Sequence, residues 1–165
     1  MMSNYSNEEF LYIISHILDN EEFMKLENIR HHGITRFDHC MRVAYYSYII
    51  SKILRLDYQQ VTEAALLHDF FTDEVKDKNM IERLIKHPYI ALNNAKKYYR
   101  LSPMQEDIIK THMFPITFIP PKYLESWIVD IIDDISAIYE RVACTKKEIS
   151  AAMSFLFVLL LNYFK

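Results

Sequence analysis

A single glycine, Gly33, and five prolines among 165 residues leave little backbone suited to tight turns, which argues against a sheet built from many short strands. Apolar residues instead recur at 3.6-residue spacing through most of the chain, so the expected fold is all-α. Hydrophobic residues make up 51%, enough for a packed core rather than disorder. We expect one domain spanning residues 1–165, a compact bundle of about seven to nine helices.

The start and stop signals divide the chain. The capping box Ser6-Asn7-Glu8-Glu9 opens a helix to about Asp19, with Phe10, Ile13, Ile14 and Ile17 inward. A short helix from about Glu21 to Ile29 leads to a turn pinned by Gly33. The next runs from about Arg36 to Leu54 with His39, Val43, Tyr46 and Ile50 on one face. Asp57 caps the helix that carries His68 and Asp69. Pro88 biases His87 away from helical geometry, so a short helix should end at Lys86-His87 and another, with Pro88 at its first turn, should run from Tyr89 to about Tyr99. Ser102-Pro103-Met104-Gln105 is a further capping box, and Ile108, Ile109 and His112 share a face of its helix.

The proline-rich segment Phe114 to Lys122 is expected to pack over something. In the helix from about Lys122 to Arg141, Asp133 lies with Val129, Ser136 and Ala137, while Asp130, Asp134 and Arg141 form a solvated face. Thr145-Lys146-Lys147-Glu148 should open a separate last helix. Its longest apolar run, Phe155 to Leu161, is far short of the roughly 20 residues of a membrane span, so it reads as buried in the protein.

A formal net charge of -3 supplies no basic field for a nucleic-acid backbone. The two cysteines, Cys40 and Cys144, fall at helical positions and no secretory leader precedes the first helix, so a reducing cytoplasm is expected. An aromatic content of 14% leaves room for an apolar homodimer interface.

The chemistry concentrates at Ala64-Ala65-Leu66-Leu67-His68-Asp69. Val61, Ala64, Ala65 and His68 follow the i, i+3, i+4, i+7 pattern, so the imidazole continues a stripe that points into the core, with Asp69 about 100° further round. An ionisable pair there costs stability unless it is compensated, and a bound cation is the usual compensation. His39, His87, His112 and Asp133 also sit on inward faces or constrained helix ends. Four imidazoles and two carboxylates suit Fe, Mn, Zn, Ni or Co better than Ca. Six donors are too many for one catalytic ion with an open position, whereas two ions sharing a carboxylate would use them all.

The order His39, His68-Asp69, Asp133 resembles the HD-domain superfamily of metal-dependent phosphohydrolases. Phe37-Asp38-His39-Cys40-Met41-Arg42-Val43-Ala44 is similar to the family's first-histidine helix, and Ala65-Leu66-Leu67-His68-Asp69 to its namesake motif. His87 and His112 resemble the binuclear branch. The resemblance implies that His39, His68, Asp69 and Asp133 hold one metal and that Asp69 bridges to a second held by His87 and His112. The Gly-Tyr-Pro signature of cyclic-di-GMP-degrading members is missing; Lys86-His87-Pro88-Tyr89 stands near its place.

The expected activity is hydrolysis of a phosphate monoester or diester of a nucleotide or small metabolite, with one or two divalent transition metals as cofactor. Arg42, one turn from His39, is the leading candidate to meet the phosphate; Lys76, His32, Arg36 and Lys122 are further candidates. Asp73 is a candidate proton relay to the leaving oxygen, its alternative being a solvated loop carboxylate. The rival readings are an HD-type di-iron oxygenase with the same ligands and a non-catalytic nucleotide-binding protein.

Overall fold

The computed structural model describes residues 5–31, 33–72 and 79–163. Among them are seven α-helices: α1 (Glu8–Leu18), α2 (Glu21–Met24), α3 (Arg36–Ile53), α4 (Tyr58–Leu67), α5 (Met80–Tyr98), α6 (Pro103–Thr111) and α7 (Leu124–Tyr163). A 3-10 turn, Lys25–Asn28, follows α2. The two-residue strands β1 (Arg30–His31) and β2 (Ile34–Thr35) pair antiparallel around Gly33, whose φ of 87° is the left-handed geometry that favours glycine. The all-α expectation holds, and no helix of the described residues is long and apolar enough to cross a membrane.

Side-chain caps set most helix starts. Asn7, not Ser6, caps α1 by accepting the Phe10 N–H; Asn20, Thr35, Asp57 and Asn79 act likewise for α2 to α5. Ser102 and Gln105 form the full reciprocal box at α6. Helix α3 packs on α4 and α7, and α6 packs on α4, α5 and α7. The expected inward residues of α1 are buried, as are Val61, Ala64, Ala65 and His68.

Five expectations need correction. Tyr46 and Ile50 are exposed, because the buried face of α3 turns away after Val43 through Ala44, Ser47, Tyr48 and Ser51. Helix α5 runs through Pro88, so His87 lies mid-helix rather than at an entrance; nineteen helical residues tolerate one missing N–H, and His87 Nδ1 donates to the Arg83 carbonyl in that same turn. Helix α7 also continues past Thr145, whose hydroxyl bonds back to the Arg141 carbonyl instead of capping a new helix.

Asp130 is buried rather than solvated and accepts the Phe114 N–H. The 114–122 segment is packed only in part: Phe114 meets Trp127 edge-on and the Lys122 N–H donates to Asp107, but Phe118 is exposed. Side chains beyond residue 146 lie outside the described residues, and with them the burial expected of Phe155 to Leu161.

Candidate metal centre

Five helices deliver the six candidate donors to one place. His39 is in the first turn of α3, His68 caps the C-terminus of α4 with Asp69 next to it, His87 is mid-α5, His112 caps the C-terminus of α6, and Asp133 is in α7. All six are buried. They form three overlapping groups, His39/His68/Asp69, His68/His112/Asp133 and Asp69/His87/His112, and in each group one donor atom per residue lies within 4.8 Å of the others.

Three of the rings are fixed by their own helices. Nδ1 of His68, His87 and His112 donates to the carbonyls of Ala65, Arg83 and Ile109 at 2.7, 2.9 and 2.8 Å. For His68 and His112 these are carbonyls of a last helical turn, which lack a partner within the helix. With the proton on Nδ1, the Nε2 lone pair of each neutral ring faces the centre. Helix C-termini also favour a cation, and α4 and α6 both end here.

The consequence is sharpest at His87 and His112, whose Nε2 atoms stand 2.9 Å apart, 3.3 and 3.7 Å from Asp69 Oδ1. Burial lowers the pKa of His87, and burial together with His68 and His87 pushes His112 down to about 3. Both rings are therefore neutral at neutral pH. Two lone pairs facing each other beside a carboxylate repel unless a cation lies among them. Donors bonded at about 2.1 Å to one ion stand roughly 3.0–3.4 Å apart, close to two of these three separations and a little inside the third.

The second cluster is more acidic. Asp133 Oδ1 lies 2.8 Å from His39 Nε2 and 3.6 Å from His68 Nε2, a buried atom with no hydrogen bond. Burial opposes charge on both histidines but the carboxylates outweigh it: His39, between Asp133 and Glu140, is raised to about 10, and His68, beside Asp133 and Asp69, is raised as well. In return the His68 and His39 imidazoles overcome burial and hold the Asp133 carboxyl well below its usual range.

The other candidates divide. Arg36 reaches the centre: it is buried, its Nε is 3.6 Å from Asp69 Oδ2, its Nη1 donates to the Phe71 carbonyl at 2.7 Å, and its guanidinium lies 3.7 Å over the Phe71 ring. Arg42 is instead engaged by the buried Glu140, which meets His39 at Nδ1, the ring nitrogen opposite the one that meets Asp133. The Lys122 side chain is exposed, its backbone N–H bound to Asp107. His32, Asp73 and Lys76 lie outside the described residues.

Glu140 escaped sequence reasoning. Its signal was the spacing of seven from Asp133, which puts the two carboxylates on one face of α7, two turns apart.

The family model described as HD domain matches residues 36–138, more than half of the chain. That span contains all six candidate donors and stops short of Glu140. Neither the curated proteins nor the solved structures compared with the chain include a match.

Proposed function

From the premise that the chain belongs to the HD-domain family, we propose that it is a metal-dependent phosphohydrolase that cleaves a phosphate monoester or diester of a nucleotide or small metabolite. One observation carries the reading: the Nε2 lone pairs of His87 and His112, 2.9 Å apart and facing Asp69, form a buried donor set that a divalent cation completes.

In this reading Asp69, His87 and His112 hold one ion, and His39, His68, Asp69 and Asp133 hold the other. Such ions, when bound, lower the pKa of a water and neutralise charge on the attacked phosphorus. The chain's own part is to fix the donors. Carbonyl acceptors lock three imidazoles in one tautomer, and Arg36 orients the shared Asp69 through Oδ2. Burial of the donors keeps bulk water from competing for them. The same donor set also suits an iron pair that consumes O₂.

The test is elemental analysis of protein purified without added metal or chelator, followed by a phosphoester screen and an O₂-uptake assay. The expected result is close to two transition-metal ions per chain and phosphoester turnover that His68→Ala abolishes together with metal content. Absence of bound transition metal sinks the metal centre. Iron with O₂ uptake and no phosphate release replaces hydrolysis by oxygenation, and loss of activity at full metal content in His68→Ala removes His68 from the ligands.

A further inference from the structure

We infer that Glu140, itself held by Arg42, is the positioning residue that aims His39 at its metal ion; the inference rests on the metal-centre reading above. Of the four imidazoles, His39 alone is fixed at Nδ1 by a side chain from another helix. His68, His87 and His112 use carbonyls three or four residues back. The His39 ring instead spans from α3 to α7, with both Glu140 oxygens at 3.1 and 3.0 Å from Nδ1 and Asp133 Oδ1 at 2.8 Å from Nε2.

Helix α7 therefore grips this ring from both ends. The carboxylate accepts the Nδ1–H, so once an ion displaces the proton from Nε2 the neutral ring offers its lone pair there, at the end that faces Asp133 and the other donors. A charged acceptor also makes the imidazole a stronger ligand than a neutral carbonyl does. Glu140 is 2% exposed, and a buried carboxylate needs its own partner. Arg42 Nη1 supplies it at Oε1, and the Arg42 guanidinium lies 5.4 Å over the Tyr139 ring. The role expected of Arg42 changes accordingly: it acts through Glu140 rather than on the substrate phosphate.

Chelator competition with Zn²⁺ on the full chain, after removal of resident metal, yields a dissociation constant for each of two sites. For Glu140→Gln, which keeps an acceptor but loses the charge, one site should weaken about 10-fold, and for Glu140→Ala about 100-fold, with the other site unchanged. Histidine-ring ¹⁵N–¹H spectra should lose the His39 Nδ1–H signal in Glu140→Ala and retain it in Glu140→Gln. Arg42→Gln should weaken the same site, and combining it with Glu140→Gln should add nothing further.

If Glu140→Ala fails to fold, Glu140→Gln carries the test. Wild-type affinity at both sites in a folded variant overturns the inference and leaves the metal centre standing. So does equal weakening of both sites in step with melting temperature, the mark of a purely structural residue. Failure of the wild-type chain to bind Zn²⁺ at all removes the metal centre itself and the inference with it.

Discussion

Asp130 is a carboxylic acid kept where its charge is unwelcome. Burial and the nearby Asp134 push its pKa from 3.8 up to about 7, and the Phe114 N–H offsets this only in part. The folded protein thus holds this proton more tightly than the unfolded chain. Its contribution to stability is full below pH 4 and is lost as pH rises through 7. Asp130→Asn keeps an acceptor for Phe114 and has no proton to lose. Denaturant titrations in chelator should find it equal to wild type near pH 4 and more stable by at least about 1 kcal/mol at pH 8; a constant difference across that range would refute the assignment.

The same residue shows where reading single positions ends. Helical phase alone groups Asp130 with Asp134 and Arg141, yet the 114–122 segment folds over Asp130 and leaves Asp134 and Arg141 exposed. His68 and Asp69 were legible because their place on a regular apolar stripe made them costly without a partner. Glu140, next to an exposed arginine, carried only its spacing from Asp133.

Among the elements, the turn between β1 and β2 comes close to α7 at Cys144. A Cβ built on Gly33 would lie 2.6 Å from Cys144 Sγ and 3.0 Å from its Cβ, on a residue whose φ of 87° already disfavours a side chain. Gly33→Ala should therefore lower stability by about 1–3 kcal/mol, the combined effect of left-handed strain and overpacking. Adding Cys144→Ala should recover the part of the clash owed to Sγ and leave the 3.0 Å Cβ contact and the backbone part. A double variant as unstable as Gly33→Ala in denaturant titrations would mean that the contact does not matter.

Helix existence was legible from periodicity and caps, and helix ends were not. Pro88 and Thr145 carry real stop signals, but α5 and α7 pass through both, since one lost or redirected hydrogen bond is small beside the packing of a long helix on its neighbours. The capping box at Ser102 was read correctly because both of its partners are local in sequence.

For the molecule as a whole, the candidate centre lies where five helices meet. An ion bound only by the folded state adds RT ln(1 + [L]/Kd), about 2.7 kcal/mol at 100 Kd, which for a chain of this size is roughly 5–11 °C of melting temperature. Thermal unfolding with and without EDTA should show a shift of that order, reversed by added metal. Superimposable curves from protein shown to carry metal before chelation would contradict it. The bundle could be foreseen from the sequence, and the resemblance to the HD-domain superfamily implied that the six donors converge; the contacts that bring them together, such as His39 with Asp133, 94 positions apart, could not be read from local pattern.

That separation also orders events on the ribosome. Asp69, His87 and His112 have all been made once synthesis passes α6, whereas the group closed by Asp133 waits for α7, which is also the helix that carries Glu140. A nascent chain stalled before α7 would hold two of the three donor groups, His39/His68/Asp69 and Asp69/His87/His112, and lack only the one that Asp133 completes. Only Asp133 is born late, so in the proposed two-ion reading a fully loaded centre would report that synthesis has passed the first turns of α7.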